Sequence, residues 1–240
     1  MAKQQNKIID LKKNIEIVFT KQNTIITSET EKTIDEILIN NEGQKLIVDN
    51  LIDRIKLKEE TPTIIDGLIY QKIIKIDNKN IKEKIIKELP RGVVNFEGFN
   101  KVNYYSLQEL LIDQKFQEAD TLTHQYLCEL VKSKSTEIKK WLYFTDIQFL
   151  PKQELFIVDL LWKIYSKGKF GFSIQKKIWI KNNKNWDKLW EKIYWLKQGV
   201  MKRYPEEFIW TIDAPEGHLP LSNQLRGTKT LLYLFHNIEW

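Results

Sequence analysis

The chain is poor in the residues that staple, coordinate or punctuate a fold. Its single cysteine, Cys128, excludes an internal disulfide framework and any thiolate-rich zinc or iron–sulfur site. Three histidines, His124, His218 and His236, have no ligand-type spacing such as His-x-x-x-His, so no protein-ligated metal is expected. Nine glycines and six prolines in 240 residues are too few for a turn-dense β-sandwich. No run reaches the ~18 uncharged apolar residues of a membrane helix. The most apolar stretch, Leu155 to Tyr165, is broken by Asp159 and Lys163. With a mean hydropathy of −0.42, a soluble protein is expected. Met1 to Phe19 offers no signal-peptide core, and it carries Asp10 and Glu16 while lacking Arg and Ser, the reverse of a transit peptide. Function in the compartment of synthesis is the expectation. Arginine is scarce too, at positions 54, 91, 203 and 226 only, against abundant Ile, Lys and Asn, a bias typical of AT-rich genomes.

What is present is ample for a core: 42% of residues are hydrophobic and 29% charged, enough for one large domain or two ordinary ones. A net charge of +6 favours anionic partners, whether nucleic acid, an acidic protein face or a carboxylated ligand. The halves differ. All eight tryptophans lie after position 140, and positions 1 to 100 hold only Tyr70 and three phenylalanines among aromatics. In the first half, apolar residues recur at helical spacing: Ile34, Ile37, Leu38; Ile47, Leu51, Ile52, Ile55; Ile64, Ile65, Leu68, Ile69. Breaks at Asn40 to Gly43 and around Pro62 complete the pattern of a small antiparallel helical bundle over residues 1–89. Residues 8 to 27 are ambiguous, since Ile15, Ile17 and Phe19 also suit a strand.

Residues 90–103, with Pro90, Gly92 and Gly98 and no period, read as a linker, and residues 104–240 as a second helical domain. Ser106-Leu-Gln-Glu109 has the form of a capping box. Phe116, Ala119, Leu122, Thr123, Tyr126, Leu127 and Leu130 mark the next helix. Pro151 opens another, with Leu155, Val158, Leu161, Trp162 and Tyr165 inward and Gly168 at its close. Asn185 caps one more, where Trp186, Leu189, Trp190 and Ile193 share a face. Trp162, Trp186 and Trp190 at such spacing read as core residues, with a ligand site as the alternative. The segment from Tyr204 to Ser222 has no period. It sets Tyr204, Phe208 and Trp210 on an irregular backbone stiffened by Pro205, Pro215 and Pro220, which suits a wall for something flat. Arg226 and Lys229, one helical turn apart, follow it. An apolar wall with a cationic rim matches a planar, hydrophobic, carboxylated molecule.

The run from about Leu107 to the carboxyl end resembles the genomes-uncoupled-four family of tetrapyrrole-binding proteins, porphyrin-binding regulators of magnesium chelatase. The matching stretches are Phe116-Gln-Glu-Ala-Asp120-Thr-Leu-Thr123, Asp159-Leu-Leu-Trp162 leading into Ser166-Lys-Gly168-Lys-Phe170-Gly-Phe-Ser173-Ile-Gln175, and Ala214-Pro-Glu-Gly-His-Leu-Pro220. The first half resembles the extra amino-terminal bundle of cyanobacterial and plastid-encoded members. The resemblance implies an all-α fold: an amino-terminal bundle, then a compact helical porphyrin-binding core with a long irregular loop near the carboxyl end. It implies a non-enzymatic binder of protoporphyrin IX or magnesium-protoporphyrin IX, with no covalent cofactor. The implied partner is the large porphyrin-binding subunit of magnesium chelatase in chlorophyll synthesis, in a plastid stroma or a cyanobacterial cytoplasm. A monomer is expected, with peripheral membrane association left open.

The porphyrin-contacting set implied by the family falls on Arg203, Tyr204, Phe208, Leu219, Asn223, Arg226 and Lys229. This chain departs from the family pattern at three points. Tyr204 stands for the usual Trp, Lys229 for a second Arg without its bidentate fork, and Tyr194-Trp195 for a common Gly-Trp pair. His218 is expected to fix the loop by hydrogen bonding, Phe170 and Phe172 to lie in the core, and Asp120 and Asp159 to form no catalytic pair. His124 is expected at the surface of its helix, and Cys128 inside as a small apolar group. The lysines from 176 to 192 read as a solvated face, with docking to the chelatase subunit as the functional alternative. Single-stranded nucleic acid is the competing ligand class, and it predicts steep salt dependence. An enzyme acting on the porphyrin ranks last, for want of a nucleophile–base constellation.

Overall fold

The computed structural model describes residues 2–20, 25–99, 101–131, 141–142, 145–221 and 228–237. Among them lie eleven α-helices and one two-stranded hairpin, so the protein is all-helical in class. The chain divides into two compact units, Met1–Asn95 and Phe96–Trp240. No helix among the described residues is long and apolar enough to cross a membrane.

The first unit holds α1 (Ala2–Thr20), α2 (Ser28–Leu38), α3 (Asn41–Ile52), α4 (Ile64–Ile73) and α5 (Lys79–Glu88). The periodic stripes turn inward, with Ile34, Ile37, Ile47, Val48, Leu51, Ile65 and Ile69 all buried. Caps fall where the breaks were read. Asn40 accepts the Gly43 N–H at 2.7 Å, and Thr63 and Asp66 form a reciprocal capping box that starts α4. A turn of π-helix, Asp53–Leu57, runs on from α3 and carries Arg54, whose guanidinium meets Glu60 at 2.5 Å and the buried Asp66 at 3.3 Å. Of the ambiguous stretch from 8 to 27, the part up to Thr20 is helical, and residues 21–24 lie outside the described residues. Ile15 and Val18 are buried while Ile17 is exposed, an i, i+3 choice that a strand cannot make.

The second unit is built from α6 (Tyr104–Ile112), α7 (Phe116–Leu130), a short 3-10 turn (Ile147–Phe149), α8 (Lys152–Tyr165), α9 (Phe172–Lys181), α10 (Trp186–Lys192) and α11 (Thr228–Asn237). Its centre is aromatic: Trp162 stacks on Phe116 at 6.0 Å and meets Phe170 edge-on, and its indole N–H donates to Thr123 at 3.0 Å. Tyr165 donates to Gln108 at 2.8 Å, so the polar atoms that these rings bring inside are satisfied. One reading needs correction. The Ser106 capping box does not form; α6 starts at Tyr104, and the Ser106 hydroxyl accepts instead from the Asn103 side chain at 2.9 Å. Burial of the Tyr104 ring, 1% exposed against Phe96 and Tyr126, sets the helix start, and packing overrides the local cap. The aperiodic 90–103 stretch contains the unit boundary; Val93 and Val94 on one side of it and Phe96 and Val102 on the other are buried.

Candidate functional site

After α10 the chain turns through an unanticipated hairpin, β1 (Leu196–Lys197) pairing with β2 (Val200–Met201). Its two-residue turn, Gln198-Gly199, has φ of +51° and +76°, the primed geometry that short hairpins require. The Gln-Gly pair was the available signal, but two-residue strands are too short to show a period. Val200 is 69% exposed at the tip. Tyr194 takes a left-handed φ of +62°, and the Lys202 ammonium sits 3.4 Å over its ring.

The irregular segment that follows is braced bond by bond. His218 is fully buried; its Nε2 accepts the Ile209 N–H at 3.0 Å, which makes Nδ1 the protonated nitrogen, donating to the Ile193 carbonyl at 2.6 Å. Burial pushes its pKa below the ordinary value, so it stays neutral. Gln175 on α9 donates to the carbonyls of Gly217 and Pro220 at 3.0 and 2.9 Å, and Trp195 donates to that of His218 at 2.8 Å. Lys169 donates to the Ile212 carbonyl at 2.6 Å. At the far margin the Leu221 N–H donates to Asp120 on α7 at 2.5 Å. Asp120 is buried with no ion pair among the described residues, and desolvation lifts its pKa to about 8. Asp159, equally buried, caps α9 by accepting the Ser173 N–H at 2.8 Å with Lys163 at 3.2 Å from its other oxygen; the two aspartates serve separate places.

On this frame stand the rings. Tyr204 is 40% exposed and meets Trp210 edge-on at 5.9 Å. Phe208 lies beneath them, 6% exposed, 6.4 Å from Tyr204, 6.2 Å from Trp210 and 5.5 Å from the His218 imidazole. Behind Phe208 a run of stacked indoles, Trp195, Trp190 and Trp186, continues to Trp179 and Phe235.

Of the expected contact residues, Tyr204 and Phe208 are thus brought together. Arg203 is exposed beside Tyr204, its backbone N–H bound to Glu207 at 2.6 Å. Leu219 is fully buried, so it shapes the loop from within. Lys229 is exposed in the first turn of α11. Asn223 and Arg226 lie outside the described residues. His124 is only half-buried on α7, its Nε2 3.7 Å from the Sγ of buried Cys128. Among the described residues no cluster of His, Cys, Asp or Glu is arranged to hold a metal ion.

A family model described as GUN4-like matches residues 98–237. The ycf53 protein of Porphyra purpurea is 43% identical over 189 residues, 78% of each chain. A protein of Arabidopsis thaliana named "Tetrapyrrole-binding protein, chloroplastic" is 34% identical over 135 residues, 52% of this chain and 50% of that one. The solved structure of GUN4 from Chlamydomonas reinhardtii superposes with a TM-score of 0.54 at 35% identity, covering 60% of this chain and 93% of its own.

Proposed function

Because this chain belongs to the GUN4-like family, we propose that it binds protoporphyrin IX and magnesium-protoporphyrin IX at the aromatic loop, presents them to the large porphyrin-binding subunit of magnesium chelatase and so stimulates magnesium insertion, with no turnover of its own. The observation that carries this reading is the ring group itself: Tyr204 open to solvent, Phe208 and Trp210 behind it, on a loop held by buried hydrogen bonds from Gln175, Trp195 and His218. A preorganised apolar surface of this kind suits a flat macrocycle, because little ordering entropy remains to be lost on binding. The name of the Arabidopsis relative supports the same ligand class. A plastid or cyanobacterial setting is consistent with the relatives found there.

Covering on the order of 300 Å² of macrocycle at about 25 cal/mol per Å² supplies about 7 kcal/mol before association costs. A charge-assisted contact to a propionate, for which Arg226 is the proposed donor, adds about 1.5–3 kcal/mol. Apolar contact therefore dominates affinity, and rim charge orients the ligand. Lys177, Lys181, Lys188 and Lys192 are exposed on α9 and α10 and form no ion pair among the described residues, which makes that face our candidate for meeting an acidic surface of the chelatase subunit.

Titration with protoporphyrin IX tests the reading through indole quenching and the Soret band. Wild type moves the band and returns the pigment unchanged, and raising salt from about 50 to about 200 mM alters affinity by less than about threefold, unlike phosphate-driven binding. Phe208→Ala weakens binding by about tenfold or more, and Lys229→Ala by less than about threefold. An unmoved Soret band with wild type overturns the proposal; the reverse ranking of the two variants overturns the division of roles.

A further inference from the structure

Helix α7 belongs to the core, yet two adjacent residues on it touch both margins of the aromatic loop. Asp120, 3% exposed, accepts the Leu221 N–H across 101 residues of chain. Thr121, its neighbour, has its hydroxyl 3.4 Å from that of Tyr204. The other braces run from different elements: His218, Gln175 and Trp195 tie the loop to α9 and to the end of α10, and Gln175 also holds the Pro220 carbonyl beside Leu221 at 2.9 Å, which leaves Asp120 as the tie to α7. Helix stability does not account for Asp120. Aspartate is among the weaker helix formers, and a buried carboxyl without a counter-charge costs free energy that an apolar side chain would not. Among the described residues Asp120 makes no ion pair, and its carboxylate accepts the Leu221 N–H. What the carboxyl supplies is an acceptor for a buried N–H at the point where the loop leaves the core.

We propose that Asp120, assisted by Thr121, is a positioning residue for tetrapyrrole binding: it fixes the span between Tyr204 and Leu221, and thereby the shape of the ring group, without touching the pigment. The inference rests on the porphyrin reading above and names a determinant inside the helix core that sets the geometry of the binding loop. Because a loop pinned at one margin pivots about it, release of Leu221 lets the Tyr204 and Phe208 rings lose their common alignment while the helices stay folded.

Full-length wild type, Asp120→Ala, Asp120→Asn and Thr121→Val are titrated with protoporphyrin IX, and each is checked by far-UV circular dichroism. Asp120→Ala raises the Kd about tenfold and shifts the bound Soret maximum. Asp120→Asn, whose amide oxygen accepts the same N–H, stays within about threefold of wild type and keeps its Soret position. Thr121→Val costs about threefold. Wild-type affinity in Asp120→Ala overturns the proposal, and so does an Asp120→Asn variant as impaired as Asp120→Ala. Should Asp120→Ala fail to fold, Asp120→Asn and hydrogen exchange at the Leu221 amide decide: protection of that amide in wild type and in Asp120→Asn upholds the clamp, and exchange at the rate of an open loop overturns it. A wild-type chain that leaves the Soret band unmoved sinks the porphyrin reading instead, and the Leu221 exchange still judges the clamp.

Discussion

His218 illustrates how a side chain with catalytic potential is committed to architecture. Both ring nitrogens are occupied, one accepting from Ile209 and one donating to Ile193, in a place with no solvent exposure. That leaves no lone pair for a metal and no proton for a substrate. The folded pKa lies below the ordinary 6.5, so the unfolded chain takes up the proton first. The stabilisation is therefore complete above pH ~6.5 and is lost as pH falls towards the folded value. Denaturant unfolding across this range should show wild-type stability declining below pH ~6.5. His218→Phe should be about 2 kcal/mol less stable at pH 8, from two orphaned backbone groups, and should lack this histidine's share of the decline. An unchanged acid slope in the variant would remove His218 as its source. The sequence allowed His218 a bonding role because it sits between Gly217 and Leu219-Pro220. It concealed the two partners, which arrive from Ile193 and Ile209.

The helices declare their limits through short-range chemistry. Asn40, Thr63 and Asn185 each accept a backbone N–H three residues on, as their sequence context suggests. Where local signals mislead, a buried ring prevails, as Tyr104 does over the Ser106 box. The irregular loop follows another rule, close approach. Gly217 has a φ of +77°, and a Cβ there would lie 2.8 Å from the Ile178 Cδ1 on α9 and 3.0 Å from the Ile193 Cγ2 after α10. Gly217→Ala should thus combine left-handed strain with overpacking, costing about 2–4 kcal/mol in thermal or denaturant unfolding. Porphyrin affinity should fall with it. A variant as stable as wild type would show that α9 can yield. The β1–β2 hairpin left only its Gln-Gly pair as a signal, because strands of two residues are too short to show a period.

Over the molecule as a whole, the two units meet in sequence between Asn95 and Phe96, and all residues proposed for the pigment lie in the second. The Chlamydomonas structure corresponds over 93% of its length to 60% of this chain. Residues 96–240 expressed alone should therefore bind protoporphyrin IX within about threefold of the full chain. A loss beyond about tenfold would assign the amino-terminal unit a direct part in binding. The Ile-rich and Trp-rich halves build different kinds of core: aliphatic stripes on α2 to α4, and ring clusters around Trp162 and from Trp195 to Phe235.

Helical class, the stripes that turn inward and the aromatic loop could all be read from the residues, because periodicity and capping act between near neighbours along the chain. Which ring faces solvent, why His218 is neutral and why Asp120 is buried could not. Those depend on contacts such as Asp120 to Leu221 and Trp162 to Thr123, spanning 101 and 39 residues, and pairings at that distance leave no period to read.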